Sequence, residues 1–233
     1  MHILSVIPAR GGSKSIPMKN IYPLLGKPLI GYTIEHALCS KKIDRVLVST
    51  DNREIARVAE KFGAEVPFSR PNEHGEDKTP DFPVFFHALS WLKENEGYEP
   101  DIVVHLRPTS PIRNVQHIDH MIQLLMDNPY CDSVRSVSAA KQSPYKMWKQ
   151  EGEHIVPLFE HPYNEKTLTA KQYLPNVLFH NGCIDVIRTS TILIKESLTG
   201  EVILPFLMAD EKYDVQIDSR LDAKIAGMIL ETA

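Results

Sequence analysis

Three basic side chains and two adjacent glycines follow the first apolar run of the chain. The run His2–Pro8 reads as a buried strand, and the loop after it carries three cations, Arg10, Lys14 and Lys19. The adjacent Gly11 and Gly12 allow backbone N–H groups to approach an anion closely. The first acidic residue of the chain is Glu35, so no carboxylate in the preceding sequence offsets these cations. The loop predicts a polyphosphate site, although a solvated turn with scattered lysines has the same composition.

A second loop with polar side chains, Arg107–Arg113, follows the apolar run Asp101–Leu106. Two prolines stiffen it, so that Thr109 and Ser110 can present hydroxyl groups and Arg107 or Arg113 a planar guanidinium group. In an open α/β sheet, ligands bind at the carboxyl ends of the strands, so both loops are expected at the same edge. The alternative is a rigid turn that leads into the next helix.

A third candidate is the acidic segment Tyr213–Ser219 near the end of the sequence. Extended geometry would place Asp214, Gln216 and Asp218 on one face, and oxygen ligands of this kind suit Mg²⁺. Asp218 beside Ser219 has the alternative role of complementing a helix dipole. The histidines lack metal-ligand spacing, and the sequence shows neither a Ser-His-Asp nor a Cys-His signature.

Composition and charge limit the classes of protein to which this chain can belong. The 233 residues include 26 basic and 30 acidic side chains, and the net charge of −4 disfavours nucleic acid and anionic lipid as partners. No apolar stretch is long enough to span a bilayer, and the start MHILSVIPAR lacks the features of a signal peptide. The three cysteines, Cys39, Cys131 and Cys183, are odd in number and far apart, which fits neither a disulfide framework nor a zinc knuckle. We therefore expect a soluble protein of the reducing cytoplasm.

Short β-branched runs alternate with amphipathic stretches, which predicts an α/β fold with a mostly parallel sheet and helices on both faces. The predicted strands are His2–Pro8, Arg45–Ser49, Asp101–Leu106, Ser133–Val137, Cys183–Ile187 and Val202–Leu207. One predicted helix is capped by Asp51, ended by Gly63 and buries Ile55, Val58, Ala59 and Phe62. A second buries Ile118, Met121, Ile122 and Leu125. The last opens with a Ser219–Asp222 capping box and is predicted to bury Leu221, Ile225, Met228 and Ile229.

The alternation fails between residues 141 and 180, so this stretch is predicted to be an insertion within a single domain spanning residues 1–233. It is rich in aromatic and apolar side chains among prolines, including Tyr145, Met147, Trp148, Phe159 and Tyr163. Such a surface is typical of an interface, which predicts a homodimer through this segment.

These motifs, in this order, resemble those of the acylneuraminate cytidylyltransferases, also called CMP-sialic acid synthetases. The similarity begins at IPARGGSKSIPMKNI and continues through VSTDNREIA, VPFSRP and PTSPIR to QIDSRLD. It also includes an LPxxxxxNG pattern at Leu174–Gly182. The resemblance implies a Rossmann-like sheet of the nucleotide-diphospho-sugar transferase type with an inserted dimerisation segment.

The resemblance also implies roles for individual residues. On the nucleotide side it implies Ala9, Arg10, Gly11, Ser13, Lys14, Lys19, Asn20, Arg70, Asp77, Thr109 and Ser110. Catalytic roles fall on Arg10, Lys14, Lys19 and Asp218, and a Mg²⁺ ligand on Asp218. On the sugar side it implies Asn181 and Gly182, and we predict that Arg107 and Lys171, where the chain departs from the family, also contact the sugar.

The chain departs from the family pattern at four positions. The family's pair of Mg²⁺-binding carboxylates falls on Gln216 and Asp218, so one acid is missing. Arg107 stands where relatives usually have glutamine, Lys171 replaces an arginine, and Phe179 occupies a position that is sometimes basic. These changes predict a re-tuned sugar pocket, so legionaminic acid or another relative is as good a candidate for the substrate as sialic acid itself.

The expected activity is CTP-dependent transfer of CMP to a nine-carbon 2-keto sugar acid, with Mg²⁺ as the cofactor. One alternative is a nucleotidyltransferase that uses another nucleoside triphosphate or acceptor. A second alternative is an inactive nucleotide-sugar binding subunit, which Gln216 in place of an acid would favour.

Overall fold

Ten strands and six α-helices make up the regular structure in the residues that the computed structural model describes, which are 1–75, 79–159 and 174–232. The strands are β1 (Ile3–Pro8), β2 (Pro23–Leu24), β3 (Lys27–Pro28), β4 (Arg45–Ser49), β5 (Ile102–His105), β6 (Ser133–Ala139), β7 (Trp148–Glu151), β8 (His154–Pro157), β9 (Leu178–Arg188) and β10 (Ile203–Leu207). The helices are α1 (Leu29–Leu38), α2 (Arg53–Lys61), α3 (Phe82–Glu96), α4 (Val115–Asp127), α5 (Thr189–Leu193) and α6 (Arg220–Glu231). None of these helices is both long and apolar enough to cross a membrane.

Six strands form the central sheet in the order β10-β6-β9-β5-β1-β4. All of them are parallel except β9, which runs antiparallel between β5 and β6. The mostly parallel α/β sheet is therefore confirmed, and the run Cys183–Ile187 lies inside the longer antiparallel β9. The parallel arrangement brings the carboxyl ends of β1, β4 and β5 to one edge, where the predicted loops begin.

Helices cover both faces of the sheet because the strands are apolar on both sides. On one face, α1, α2, α4 and α6 pack on alternate strand residues such as Ile3 and Ile7. On the other face, α3 and α5 pack on the intervening residues such as Leu4 and Val6. The sheet is thus a rigid platform from which the loops at the carboxyl edge project.

The residue that caps α2 is Asn52, so the prediction of Asp51 as the cap is wrong. The Asn52 side chain accepts hydrogen bonds from the backbone N–H groups of Glu54 and Ile55, at 2.9 and 3.1 Å. Asp51 instead accepts a hydrogen bond from the backbone N–H of Gly11 at 2.9 Å. The acid next to the cap therefore supports the basic loop rather than the helix.

The capping box of α6 is confirmed, but the face that the helix buries differs from the prediction. Ser219 and Asp222 exchange the two expected hydrogen bonds. Leu221, Ile225 and Met228 are exposed, whereas the side that packs on the core carries Ala223, Ala226 and Gly227. Small residues allow this helix to approach the sheet closely, so the larger apolar side chains face outward.

The stretch between residues 141 and 180 contains a short 3₁₀ turn, Pro144–Lys146, and the antiparallel hairpin β7–β8. No α-helix lies between β6 and the hairpin. Residues 160–173 lie outside the described residues, and with them Tyr163 and Lys171. Strand β9 begins at Leu178, so the end of this stretch re-enters the central sheet.

The stability of the fold is expected to decrease as the pH falls from 7 to 5. Burial lowers the pKa of His36 in α1 to about 3, and the nearby charges of Arg113 and Lys27 contribute to this shift. The folded state keeps this imidazole neutral, whereas the unfolded chain takes up a proton below pH 6.5. The contribution of His36 to the free energy of unfolding is complete above pH 6.5 and is lost as the pH falls towards 3. About 2 kcal/mol of it is lost by pH 5.

Urea unfolding at pH 7 and pH 5 measures this contribution. His36→Gln should show a smaller loss of unfolding free energy between the two values than the unmodified protein. The exposed His154 provides the control, since His154→Gln should retain the full loss. Equal losses of unfolding free energy in the unmodified protein and in His36→Gln would contradict the assignment of this pH dependence to His36.

Candidate functional site

A cavity of about 580 Å³ opens at the carboxyl edge of the sheet, above β1 and β5. Both loops singled out in the sequence line it. The predicted site residues that it brings together are Arg10, Ser13, Lys14, Lys19, Asn20, Arg70, Arg107, Thr109 and Asp218. Ala9, Gly11, Ser110, Asn181 and Gly182 are not among its lining residues. Asp77 and Lys171 lie outside the described residues, so their roles stay predictions.

The backbone of the basic loop is held by polar contacts. The Asn20 side chain donates a hydrogen bond to the carbonyl of Arg10 at 2.8 Å, and the N–H of Gly11 is fixed on Asp51. A Cβ at Gly11 would lie 3.0 Å from the side chain of Asn52, so the loop passes close to the start of α2. Asn20 and Gly11 therefore shape the loop, and the basic side chains are carried on a fixed backbone.

Positive charge dominates the cavity. Among the described lining residues, five are cationic, Arg10, Lys14, Lys19, Arg70 and Arg107, and two are carboxylates, Asp81 and Asp218. Arg70 is buried and lies 3.4 Å from Asp51, and its pKa is lowered by burial, while Asp51 opposes that effect. Lys19 lies 2.9 Å from Asp218. An anion with several negative charges fits this arrangement, because the cations exceed the local carboxylates.

The predicted oxygen face of Asp214, Gln216 and Asp218 does not form, so this prediction is wrong. Glu211–Asp214 is a 3₁₀ turn and not an extended segment. Asp214 accepts a hydrogen bond from the hydroxyl of Ser138, and the Gln216 amide donates to the carbonyl of Asn181. Only Asp218 faces the cavity, with its side chain 72% exposed.

A metal ion at this cavity would find Asp218 as its protein ligand. The described residues hold no group of three or more His, Cys, Asp or Glu side chains that could bind a metal by themselves. Mg²⁺ keeps several waters and commonly binds through one or two carboxylates plus substrate phosphates. The exposed Asp218 carboxylate beside this cationic cavity fits that mode, whereas the described residues do not fit a metal held by protein alone.

The two arginines of the second loop have different surroundings. Arg107 faces the cavity, whereas Arg113 is buried and donates hydrogen bonds to the carbonyls of Cys183 and Arg107, at 2.9 and 2.8 Å. Thr109 lines the cavity, and Ser110 is buried with its hydroxyl 3.4 Å from the carbonyl of Gly182. The sequence did not distinguish Arg107 from Arg113 as the guanidinium group offered to an anion. In the structure Arg113 stabilises the loop through its hydrogen bonds, and Arg107 is the arginine of this loop that lines the cavity.

Asn181 and Gly182 lie at an irregularity in the pairing of β9 with β6. Asn181 is fully buried, and its amide contacts the hydroxyls of Ser136 and Ser138 at 2.6 and 3.1 Å. Gly182 has a φ of 65°, and a Cβ there would lie 2.5 Å from the amide nitrogen of Gln216. Asn181 can therefore affect a ligand only through the residues that it positions.

Sequence analysis missed a buried carboxylate, Asp185, next to the cavity. Its oxygens lie 3.0 Å from the Nη1 of Arg107, 2.8 Å from the Nε of Arg135 and 3.2 Å from the Nε2 of His180. Burial alone would raise the pKa of Asp185, but the contact with His180 and the charges of both arginines hold it well below its usual range. Asp185 is therefore ionised.

His105, which lines the cavity beside Arg107, was also missed. Burial lowers its pKa well below the usual value, and the charge of Arg107 adds to this effect, so the imidazole is neutral. The signal in the sequence was a titratable residue inside each of three apolar strands, His105 in β5, Arg135 in β6 and Asp185 in β9. Such residues are rarely buried without a partner.

Comparison with known proteins gives one family and several relatives. The family model described as cytidylyltransferase matches residues 4–149. An N-acylneuraminate cytidylyltransferase from Escherichia coli is 31% identical over 96% of this chain, and the alignment covers 51% of that protein, so the chain spans about half its length. A CMP-N,N'-diacetyllegionaminic acid synthase from Legionella pneumophila is 31% identical over 99% of this chain and 97% of its own.

The fold also occurs among solved structures. A CMP:2-keto-3-deoxy-manno-octonic acid synthetase complexed with CTP superposes with a TM-score of 0.73 at 18% identity. The alignment covers 100% of this chain and 99% of the other. At this identity the match shows a shared fold.

Proposed function

The chain belongs to the cytidylyltransferase family, and from this premise we propose that it activates a nine-carbon 2-keto sugar acid with CTP. The products are the CMP-sugar and pyrophosphate. The observation that carries the proposal is the cationic cavity at the carboxyl edge of β1 and β5. Relatives named for N-acylneuraminate and for diacetyllegionaminic acid support sialic acid or a close relative as the acceptor.

In the proposed reaction, the anomeric 2-hydroxyl of the sugar attacks the α-phosphorus of CTP in line. A phosphorus–oxygen bond to the sugar forms, the bond between the α- and β-phosphates breaks, and the hydroxyl proton passes to solvent. Arg10, Lys14 and Lys19 line one side of the cavity, where they contact the triphosphate and neutralise charge on the leaving pyrophosphate. The reaction needs no covalent nucleophile, because positioning and charge neutralisation suffice.

We assign the nucleotide to the part of the cavity between the basic loop and Arg70, with Thr109 at its edge. Asp218 would hold Mg²⁺ together with the triphosphate, and the ion would supply further positive charge to the phosphates. Asp218 also lies 2.9 Å from Lys19, so it orients that ammonium group at the cavity. The predicted contact of Asp77 with the nucleotide is retained as part of the proposal.

A pyrophosphate-release assay with each of the four nucleoside triphosphates tests the proposal. The acceptors are N-acetylneuraminic acid, N,N'-diacetyllegionaminic acid and, as an eight-carbon comparison, 2-keto-3-deoxy-manno-octonic acid. The expected result is release that requires CTP, Mg²⁺ and a nine-carbon acid together. Release with another triphosphate at an equal or higher rate would point to a different nucleotidyltransferase.

An inactive nucleotide-sugar binding subunit is the second candidate, and Gln216 is the observation that favours it. This residue stands where the family has a Mg²⁺-binding acid, and its amide is engaged with the backbone of Asn181. The active cytidylyltransferase would release pyrophosphate, whereas the inactive subunit would only bind its ligands. Binding of CTP with no pyrophosphate release, at saturating Mg²⁺ and with every acceptor, would favour the inactive subunit.

Arg107→Gln is expected to raise the KM for the sugar acid about tenfold and to leave the KM for CTP nearly unchanged. Arg107 lies at the wall of the cavity with its side chain 23% exposed, and its guanidinium group suits a carboxylate. Initial rates with one substrate varied at a time measure both constants. Loss of CTP affinity with sugar affinity retained would place Arg107 at the nucleotide instead.

We propose that the protein is a homodimer through residues 141–180. Large apolar side chains are exposed on the described part of this stretch, namely Met147, Trp148, Ile155, Leu158, Phe159, Leu178 and Phe179. Light scattering at micromolar concentration should give about twice the chain mass of 26.4 kDa. Trp148→Glu combined with Ile155→Glu should give the monomer mass, because each adds a charge to an apolar contact.

The apolar face of α6 supplies the matched control for this prediction. Met228→Glu also places a charge on an exposed apolar side chain, and it should leave the dimer intact. A monomer in the unmodified protein would contradict the dimer. Dissociation by Met228→Glu with the hairpin variant still dimeric would move the interface to α6.

The proposed compartment is the cytoplasm. All three cysteines, Cys39, Cys131 and Cys183, are free thiols in the structure, which fits a reducing environment. A thiol assay on protein isolated under alkylating conditions tests this, with three modified cysteines expected.

A further inference from the structure

Five titratable side chains lie together beside the cavity, and we call them the Asp185 cluster. Three of them, His105, Asp185 and Arg135, form a row across the sheet, and Arg107 and His180 contact Asp185 from beside that row. His105 in β5 pairs with Asp185 in β9, and Asp185 pairs with Arg135 in β6. Residues opposite each other on neighbouring strands point to the same face of a sheet. The row therefore crosses three strands on the face that carries α3, where the His105 ring packs against Phe85 at 4.6 Å between centroids.

Asp185 holds two guanidinium groups side by side. One carboxylate oxygen accepts from the Nη1 of Arg107 at 3.0 Å, and the other accepts from the Nε of Arg135 at 2.8 Å. Without the carboxylate between them, the positive charges of Arg107 and Arg135 would repel each other. A carboxylate that is 2% exposed is costly to bury, and pairs of this kind contribute little net stability compared with apolar residues. The arrangement therefore calls for a role beyond stability.

The cluster has hydrogen-bond donors that its own carboxylate does not use. Within residues 1–75, 79–159 and 174–232, the terminal nitrogens of Arg135 have no hydrogen-bond partner, and only its Nε contacts Asp185. The second terminal nitrogen of Arg107 has one long contact, 3.4 Å to Asp81. The side chains of Arg107, Arg135 and His180 are 23%, 26% and 32% exposed, so a ligand can reach them.

His105 provides an independent sign that a ligand group belongs here. Its ring is buried at the cavity wall, and its Nε2 has no hydrogen-bond partner among the described residues. A buried polar atom without a partner is uncommon in a folded protein. Its position at the cavity wall next to Arg107 connects the cluster to the cavity.

Charge favours a monoanion at the cluster. Arg107, Arg135 and Asp185 together carry a net charge of +1, and His105 is neutral, while the exposed Asp81 carboxylate at 3.4 Å from Arg107 offsets part of that charge. A triphosphate would need more positive charge, which the basic loop provides elsewhere in the cavity. A planar carboxylate has two acceptor oxygens that match guanidinium donors.

We infer that the Asp185 cluster binds the carboxylate of the acceptor, with Arg135 contacting it beside Arg107 and Asp185 acting as the positioning residue. The inference rests on the proposed function, since it takes a sugar acid as the acceptor. It adds Arg135, from the neighbouring β6, to the residues that determine acceptor specificity. It also explains why an ionised acid lies within the apolar strand β9.

Binding of a non-reactive acceptor tests this inference without turnover. The probes are the 2-deoxy forms of N-acetylneuraminic acid and N,N'-diacetyllegionaminic acid, which lack the attacking hydroxyl, and their methyl esters, which lack the charge. Calorimetric titration in the presence of CTP compares the protein with Arg135→Gln, with Arg135→Lys and with Arg57→Gln. Arg57 is an exposed arginine of α2, away from the cavity, and serves as the matched control.

Arg135→Gln should weaken binding of the acid that binds best about tenfold and leave binding of its ester unchanged. Arg135→Lys should restore part of the affinity, and Arg57→Gln should have no effect. Asp185→Asn should raise the KM for the acid with little change in the KM for CTP, in protein shown by circular dichroism to be folded.

Equal effects of Arg135→Gln on acid and ester, or no effect on either, would overturn the inference. If the unmodified protein releases pyrophosphate with N-acetylneuraminic acid or N,N'-diacetyllegionaminic acid, which carry the hydroxyl, such a result leaves the proposed function intact. Absence of binding of both 2-deoxy acids, together with absence of turnover with every sugar acid that carries the hydroxyl, would overturn the proposed function, and the inference with it.

Discussion

Arg10→Ala and Lys14→Ala should each raise the activation barrier by about 2–4 kcal/mol, which lowers turnover roughly 30- to 1000-fold. Both side chains line the cavity on the loop after β1, on a backbone fixed by Asn20 and Asp51. Each variant removes one cation from the group that neutralises the leaving pyrophosphate. Steady-state pyrophosphate release measures kcat, and thermal unfolding shows that the fold is retained.

The matched control for these variants is Lys61→Ala. Lys61 is an exposed cation at the end of α2, and its removal should leave kcat within twofold of the unmodified protein. Near-normal activity of both Arg10→Ala and Lys14→Ala with CTP would rule out the assignment of the phosphates to this loop.

Asp218→Asn should nearly abolish turnover. The carboxylate has two tasks in the proposed mechanism, since it pairs with Lys19 at 2.9 Å and is the one predicted metal ligand that faces the cavity. An amide keeps the shape of the side chain and removes its charge. Pyrophosphate release over a range of Mg²⁺ concentrations measures the loss, which added Mg²⁺ should restore only in part.

Asp210→Asn provides the comparison, because Asp210 is an exposed acid of the same region that pairs with Lys212. This variant should keep full activity. A titration with Mn²⁺ followed by electron paramagnetic resonance should show weak binding without CTP and tighter binding with it. Full activity of Asp218→Asn, or tight metal binding without CTP, would contradict the role given to Asp218.

The positions of both cavity loops could be predicted from the sequence because local signals determine them. The apolar runs before Arg10 and Arg107 mark parallel strands, and parallel strands bring their carboxyl ends to one edge. Glycine and proline at fixed positions then show where each strand stops. The nine predicted residues that line the cavity therefore follow from pattern and resemblance together.

The Asp185 cluster depends on contacts between distant parts of the chain. His105, Arg135 and Asp185 become neighbours only through the order β6-β9-β5 and its register. Sequence patterns locate strands well but do not specify which strands are adjacent. A charged residue within each apolar run was the available signal, and the antiparallel insertion of β9 could not be read from it.

Two local predictions failed because tertiary contacts outweighed the pattern. Asp214 and Gln216 point away from Asp218 because each has a polar partner elsewhere, Ser138 and the Asn181 backbone. In α6, helical spacing alone did not distinguish the apolar face from the small-residue face. Close packing on the sheet selected the face with Ala223 and Ala226.

The central claim is that the sugar hydroxyl attacks the α-phosphorus of CTP, and an oxygen label tests it directly. The acceptor is labelled with ¹⁸O at its anomeric hydroxyl, and the product is followed by ³¹P nuclear magnetic resonance. The proposed function predicts a phosphodiester signal shifted by ¹⁸O, with unlabelled pyrophosphate in equal amount. A phosphodiester without the label, label in the pyrophosphate, or no phosphodiester at all would contradict it.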